Sequence, residues 1–127
     1  MVERQQTKEL PETLRRMLRT AETISNPVSR VDALFMIWGA VFPLGAAGRR
    51  TVQEALVNHC LGTPSWKAAY TLREVAIILA GEDREAAERI VEAMPESKYK
   101  RQARRRIDYG ENFQRRPLFG SSPSGNE

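Results

Sequence analysis

The chain has 127 residues, of which 41% are hydrophobic and 28% charged; this balance excludes a wholly disordered chain and suits one folded domain. A single cysteine, Cys60, excludes a disulfide scaffold within the chain and favours a reducing, cytoplasmic location. The net charge of +4 is uneven, because residues 98–116 carry eight basic and two acidic side chains, which gives +6 there and −2 elsewhere.

The first two helices are predicted from apolar residues that recur at helical intervals. Helix one covers residues 10–25, with one apolar stripe that includes Met17 and with Pro11 in its first turn, where a missing N–H costs nothing. Helix two begins at an Asn26 N-cap followed by Pro27 and ends before Pro43. Apolar residues surround this second helix, so we expect it to lie centrally with neighbours on most sides.

The third and fourth helices are predicted from their start signals. Residues 51–54, Thr-Val-Gln-Glu, are typical of a capping box, so we expect helix three to begin at Thr51 and to end at a left-handed Gly62. Residues 45–50 then form an interhelical turn. Helix four is predicted to start at residues 63–64, Thr-Pro. Its apolar side is predicted to comprise Trp66, Ala69, Tyr70, Ala76, Ile77 and Leu79.

The last two helices are short. Asp83 is predicted to cap helix five, and Pro95 is predicted to stop it. The inward residues of helix five are predicted to be Ala86, Ala87, Ile90, Val91 and Met94. Ser97 is predicted to cap helix six, which is basic on most of its circumference. Its thin inward stripe is predicted to be Tyr99, Ala103 and Ile107.

The predicted fold is all-α, with about six helices packed as stacked antiparallel helical hairpins, since no segment alternates cleanly enough for a half-buried strand. Residues 10–109 form the helical-hairpin domain, residues 1–9 a flexible N-terminus, and residues 110–127 a basic and then Gly/Ser/Pro-rich flexible tail. The pattern allows either a short α-solenoid-like array or a compact helical bundle.

The predicted helix starts repeat along the chain. Residues 26–30, 63–67 and 95–100 each contain a proline, then a serine, then a basic residue. The prolines are 37 and 31 residues apart, a spacing typical of helical-hairpin repeats.

On these residues, the segment 10–109 resembles α-solenoid repeats of the tetratricopeptide or HEAT type. Trp66 at the start of a hairpin and Pro95 near its end are similar to the tetratricopeptide pattern. Tyr70 and Arg73 depart from it, because they stand where that family keeps a small residue and an aromatic residue. The resemblance implies a stacked helical surface that binds another protein. The alternative is an ordinary six-helix bundle whose cap-and-proline starts are coincidental.

No catalytic, cofactor or metal site is predicted. His59 and Cys60 are adjacent on one helix and therefore do not face each other, and together they are too few to bind zinc. The acidic residues between positions 82 and 92 are expected to complement the helix dipole and to pair with nearby arginines. Residues 45–50 lack the lysine and the spacing of a phosphate-binding loop. We therefore expect a protein that is not an enzyme.

The basic segment is the candidate binding site. Arginine makes bidentate contacts with carboxylates and phosphates, and aromatic side chains between arginines stack on bases. Three interpretations stay open: a solvated helix, a site for an acidic protein and a site for nucleic acid. The candidate residues are Lys98, Lys100, Arg101, Arg104, Arg105, Arg106, Tyr109, Phe113, Arg115 and Arg116.

A second candidate surface is apolar. Five residues, Tyr99, Ile107, Phe113, Leu118 and Phe119, either complete the packing of helix six or form a patch for a partner or a second copy of the chain. The most apolar run, residues 33–47, falls short of the roughly 18–20 residues that span a bilayer, so no membrane association is expected. The predicted function is a non-enzymatic adaptor that binds protein; the alternative is an accessory protein that binds nucleic acid through residues 98–116.

Overall fold

The structure, a computed structural model, describes residues 11–109. These residues are 82% helical and contain six α-helices, one 3-10 helix and no strand, which confirms the predicted all-α class. The predicted flexible termini, residues 1–9 and 110–127, lie outside the described residues. The helices are α1 (Glu12–Glu22), α2 (Pro27–Val41), the 3-10 helix (Phe42–Leu44), α3 (Ala46–Leu61), α4 (Trp66–Ala80), α5 (Arg84–Ala93) and α6 (Lys98–Asp108).

The chain divides by its internal contacts into two units, Met1–Leu72 and Arg73–Glu127. The division falls within α4, so each unit includes part of that helix. The first unit holds α1, α2 and α3, and the second holds α5 and α6.

In the first unit, α1 and α3 both pack against α2. The Asn26 N-cap is confirmed, because its Oδ1 accepts a hydrogen bond from the Ser29 amide at 2.9 Å, and the helix ends before Pro43 as predicted. One broad face of α2 is buried, but Met36 on the other side is 74% exposed. The helix therefore lies between α1, the 3-10 helix and α3, as its predicted central position requires, and keeps one exposed face. The buried residues of α2 are Val31, Leu34, Ile37, Trp38 and Val41.

The first helix is shorter than predicted. It begins at Glu12, and Pro11 precedes it with an extended ψ of 150° instead of occupying the first turn. The helix ends at Glu22, where the amide and hydroxyl of Thr23 both donate to the Thr20 carbonyl. These bonds from Thr23 end the helix at Glu22, three residues before the end that the apolar pattern predicted.

The start of α3 is the largest difference from the prediction. The helix begins at Ala46, so residues 45–50 are not an interhelical turn and Thr51 is not a cap. Gly45, between the 3-10 helix and α3, adopts φ 110° and ψ 165°, a conformation that glycine reaches readily and other residues rarely adopt. Arg49 then lies in the first turns, buried, with its Nη1 donating to the Phe42 carbonyl at 3.1 Å and its guanidinium 4.4 Å from the Phe42 ring centroid.

The connection from α3 to α4 also differs in detail. Gly62 has φ −92° and is not left-handed, because its amide and the Thr63 hydroxyl both bond back to the carbonyls of the last turn of α3. Thr63 therefore caps the end of α3 instead of opening α4. The hydroxyl of Ser65 accepts from the Lys67 amide at 3.1 Å, just before α4 begins at Trp66.

In the second unit, both predicted caps are confirmed. Asp83 Oδ1 accepts from the Ala86 amide at 3.1 Å, and Ser97 Oγ accepts from the Lys100 amide at 3.2 Å. The predicted inward residues of α5 are all buried. In α6, Ala103 and Ile107 are buried and Tyr99 is half-buried, which confirms the thin inward stripe.

Within residues 11–109, the segment Pro27–Leu44 is long and apolar enough to cross a membrane by length and composition. Five of its side chains form the buried face of α2 described above. The core helix of a soluble protein meets the same criterion, so this finding is weak evidence on membrane association.

Candidate functional site

The structure places seven of the predicted binding residues on or just after α6. Six basic side chains of this helix are exposed or half-exposed, and Tyr109 after it is 61% exposed. Three others, Phe113, Arg115 and Arg116, lie outside the described residues. The Ser97 cap, together with the packing of Ala103 and Ile107, fixes which face of α6 is turned outward.

Three of the basic side chains of α6 have partners in the preceding segment. Lys100 Nζ donates to the Met94 carbonyl at 2.9 Å, which closes the end of α5. Arg101 and Arg104 form ion pairs with Glu96 and Glu92 at 3.3 and 3.2 Å, respectively. These pairs are exposed, and such pairs contribute about 0–1 kcal/mol each, so they lower the local charge more than they stabilise the fold.

Two further basic residues of α6 line a pocket. Arg105 and Arg106 line a recess of about 210 Å³ together with Gln102 of the same helix and with Arg73 and Ile77 of α4. Sequence reasoning missed Arg73, because it lies 32 residues before Arg105 and reaches the recess only through tertiary packing. Residues of both helices therefore bring three guanidinium groups to one recess.

Arg73 is held in place by several neighbours. Its Nε and Nη2 lie 3.0 and 2.9 Å from Glu74 Oε2, and its Nη1 donates to Gln102 Oε1 at 2.5 Å. Its guanidinium also lies 5.7 Å from the Tyr99 ring centroid, within the range of a cation–π contact. The side chain is only 21% exposed, so its charged end is positioned before any ligand arrives.

A second surface feature is an apolar groove between α1 and α2. Its volume is about 390 Å³, and nine residues line it: Thr13, Arg16, Met17, Thr20, Ala21, Ile24, Ala33, Met36 and Ile37. Met17 and Met36 are 45% and 74% exposed, so two large apolar side chains stand in water on this surface. Sequence reasoning missed the groove, because helical spacing placed Met17 in a buried stripe and did not distinguish Met36.

The edge of this groove is positively charged. Arg15, Arg16 and Arg19 all lie within 3.7 Å of the single carboxylate of Glu12, and Arg16 also lines the groove. The hydrogen bond from Arg15, followed by the charges of the neighbouring arginines, holds the pKa of Glu12 below its ordinary value. One carboxylate cannot neutralise three guanidinium groups, so this edge of α1 keeps a positive charge.

The loop at the end of the groove is fixed by Arg30. Its Nε and Nη2 both donate to the Ile24 carbonyl, at 2.8 and 2.5 Å. Because Ile24 lines the groove and Arg30 belongs to α2, this contact ties the chain between the two helices to the helix that follows. The groove is therefore formed by a constrained loop and two packed helices.

An exposed aromatic pair stands at the start of α4. The rings of Trp66 and Tyr70 are in edge contact, with centroids 6.3 Å apart, and Trp66 is 64% exposed although the sequence predicted it on the apolar side. Lys67 lies 5.9 Å from the Trp66 ring centroid and 3.3 Å from Asp32 of α2. The ion pair ties the start of α4 to α2 and leaves the indole in solvent.

The geometry around His59 and Cys60 agrees with a structural role. Cys60 is buried, and burial raises its pKa to about 12, which keeps the thiol protonated and unreactive at neutral pH. His59 Nε2 donates a hydrogen bond to the Pro27 carbonyl at 2.8 Å, and this bond links the end of α3 to the start of α2.

The acidic residues of α5 form a solvated face. Arg84 pairs with Glu88 at 3.0 Å along the helix, and more weakly with Asp108 at 3.9 Å. Within residues 11–109, no three His, Cys, Asp or Glu side chains are grouped so that they could hold a metal ion. Searches against protein-family models, curated proteins and solved structures found no match to this chain.

Proposed function

We propose that this chain is a protein-binding module that is not an enzyme, and that its α1–α2 groove holds the apolar face of an acidic amphipathic helix from a partner protein. The observation that carries this proposal is the exposure of Met17 and Met36 along one continuous apolar groove. A monomer rarely leaves a large contiguous apolar patch in water unless something binds there.

The shape and chemistry of the groove suit a helix. It runs between two packed helices and is apolar along its walls, which is how amphipathic helices are bound in grooves, through residues spaced at i, i+3 or i+4, and i+7. Methionine is flexible and polarisable, and it adapts to side chains of different shapes. The groove therefore fits a helical segment better than an extended or rigid ligand.

The charge at the groove edge selects among helices. Three arginines share one carboxylate on α1, so an occupant with aspartate or glutamate beside its apolar face gains attraction, and a basic one is repelled. Such complementarity raises association rates and excludes wrong partners. This charge argument favours an acidic partner helix over a second copy of α1, which would bring its own arginines to the site.

The proposal is tested with a displayed library of helical peptides selected against the full chain. Enriched peptides should carry apolar residues at helical spacing flanked by Asp or Glu. Met36→Glu should lower their affinity about tenfold or more, because it puts an unpaired charge into the apolar contact. Arg16→Glu should lower it by a smaller factor that shrinks with added salt.

Two matched variants act as controls. Ile78→Glu changes another exposed apolar side chain, and Arg50→Glu reverses another exposed arginine; neither lines the groove, and both should bind like the parent. A photo-reactive residue placed at position 36 of the full chain would crosslink to whatever lies in the groove, and so shows whether the occupant is a partner protein, the same chain or a second copy of it. A crosslink to residues of the same chain, or to a second copy of it, would contradict a partner helix as the occupant.

Nucleic-acid binding is the second candidate function. The observation that favours it is the row of six exposed or half-exposed basic side chains on α6, opposed within that helix by Asp108. Backbone contacts with phosphates would give an affinity for oligonucleotides that falls steeply as salt rises. Replacing Arg104, Arg105 and Arg106 by Ala should abolish it; undetectable binding at low salt would exclude this function.

A further inference from the structure

We propose that Met17 and Met36 are oxidation sites, and that conversion of their thioethers to sulfoxides by a peroxide releases the helix bound in the α1–α2 groove. This inference rests on the function proposed for the groove and adds a means of regulating it. The two residues line the groove from different helices, Met17 from α1 and Met36 from α2, so one chemical change alters both walls of the site.

The fold separates the sulfur atoms of this chain by their exposure. Residues 11–109 contain four of them; Met94 and Cys60 are 2% and 3% exposed, whereas Met17 and Met36 are 45% and 74% exposed. A dissolved peroxide reaches a sulfur atom most easily where the side chain is open to solvent. Burial also raises the pKa of Cys60 to about 12, so its thiol stays protonated and poorly reactive. Within the described residues, both accessible sulfur atoms therefore belong to the groove.

A sulfoxide suits the free groove but not the occupied one. Oxidation turns the apolar methionine side chain into a polar one, whose new oxygen accepts hydrogen bonds. In the free protein, water solvates this oxygen, because both side chains are exposed. The apolar face of a bound helix displaces that water and brings no donor in its place, so the buried oxygen costs free energy. Oxidation therefore weakens binding without destabilising the fold.

The chemistry is the transfer of one oxygen atom. A lone pair of the thioether sulfur attacks one oxygen of hydrogen peroxide, the O–O bond breaks, and the second oxygen leaves as water after proton transfer. Sulfur loses two electrons and the peroxide gains them. Methionine sulfoxide reductases catalyse the return to the thioether, in which two thiol groups become a disulfide and the oxygen leaves as water. The modification is therefore reversible at both residues.

The first measurement needs no ligand. The folded full chain is treated with hydrogen peroxide, and each methionine is followed by mass spectrometry of proteolytic peptides. Met17 and Met36 should gain an oxygen atom early, whereas Met94 should react only after the chain is unfolded with urea. The urea midpoint of the oxidised chain should equal that of the parent, because the modified side chains are exposed. Equal reactivity of the three methionines, or a large fall in the midpoint, would overturn the proposal.

The second measurement uses a helical peptide, free of methionine and cysteine, that was selected against the unoxidised chain. After the peroxide is removed, the affinity for this peptide should be about tenfold or more below its starting value. Methionine sulfoxide reductases with dithiothreitol should restore it. A chain that binds no helical peptide before oxidation refutes the function proposed for the groove, whereas binding that survives oxidation of both residues refutes only its regulation.

Two variants are each compared with themselves before and after peroxide treatment. M17L/M36L removes both sulfur atoms and keeps apolar side chains of similar volume, so treatment should not change its affinity for the peptide. Adding I78M to this variant places a methionine outside the groove, at a position that is 45% exposed in the parent. Oxidation at position 78 should also leave the affinity unchanged. If treatment weakened binding in either variant, oxidation would be acting elsewhere in the molecule and the two groove methionines would not be the regulatory sites.

Discussion

At the scale of single residues, the two tryptophans lie in opposite environments, because Trp38 is buried and Trp66 is exposed. Trp38 is 1% exposed, and its Nε1 donates to Gln53 Oε1 at 3.2 Å, whereas Trp66 is 64% exposed. We expect Trp38→Ala to lower the free energy of unfolding by about 3–5 kcal/mol through the cavity it leaves. Trp66→Ala should cost less than about 1 kcal/mol. Urea denaturation measures both, and equal losses would contradict the exposure of Trp66.

Cys60 makes stability depend on pH in the alkaline range. An unfolded thiol ionises at about pH 8.5, whereas burial raises the pKa of folded Cys60 to about 12. Between these values the unfolded chain binds fewer protons than the folded chain. The contribution is therefore complete below pH 8.5 and is lost as pH rises towards 12.

The comparison variant is Cys60→Ala. All other groups that lose a proton in the alkaline range are the same in this variant and in the parent, so their effects cancel. The parent should be more stable than the variant near pH 8, because the side chain is buried, and this advantage should shrink at about pH 10. Chemical denaturation at a series of pH values gives the difference. A difference that stays constant with pH would contradict the raised pKa.

At the scale of helices, the caps can be ranked by substitution. The side chains of Asn26, Asp83 and Ser97 each accept a hydrogen bond from the amide three residues later, so replacing any of them by Ala should cost about 1 kcal/mol. Thr51 is the matched control, because it looks like a cap in the sequence but lies exposed inside α3. Thr51→Ala should leave the free energy of unfolding unchanged or raise it by a few tenths of a kcal/mol. If Thr51→Ala lowered the free energy of unfolding by about 1 kcal/mol, Thr51 would be acting as a helix cap after all.

Two glycines should respond in opposite directions to the same change. Gly45 has φ 110°, so Gly45→Ala forces a side chain into a conformation that costs about 1–3 kcal/mol. Gly39 lies in the helical turns of α2 with nothing within 4 Å of an added Cβ, so Gly39→Ala should stabilise the protein by about 0.5–1 kcal/mol. Thermal unfolding of the two variants distinguishes them by the sign of the shift. A destabilised Gly39→Ala would mean that α2 is not helical there.

At the scale of the whole molecule, local signals predicted most of the fold. Asn26, Asp83 and Ser97 were recognisable because a cap depends on the three residues that follow it. The predicted capping box at Thr51 was wrong because residues 51–54 were considered alone. The helix begins earlier, directly after Gly45, which lies six residues before Thr51. The similarity to helical repeats stays a prediction.

The binding surfaces were harder to predict, because they depend on residues that are distant in sequence. The amino-acid composition showed that the stretch from Lys98 to Arg106 is basic. That Arg73 lines the same pocket as Arg105 and Arg106 depends on the packing of α6 with residues of α4. The groove depends on how much of Met17 and Met36 their neighbours cover, and helical periodicity does not determine this. A sequence pattern shows which residues are apolar, whereas the fold determines which of them stay in water.

The burial of Cys60 also makes this chain convenient for spectroscopic labelling. It is the single cysteine of the sequence, and its protonated, enclosed thiol should resist maleimides while the protein is folded. A cysteine introduced on the surface, for instance in place of Arg50 or Ile78, would then carry a fluorophore or spin label at one position. Distances from such labels could follow a docked peptide without removing the native cysteine.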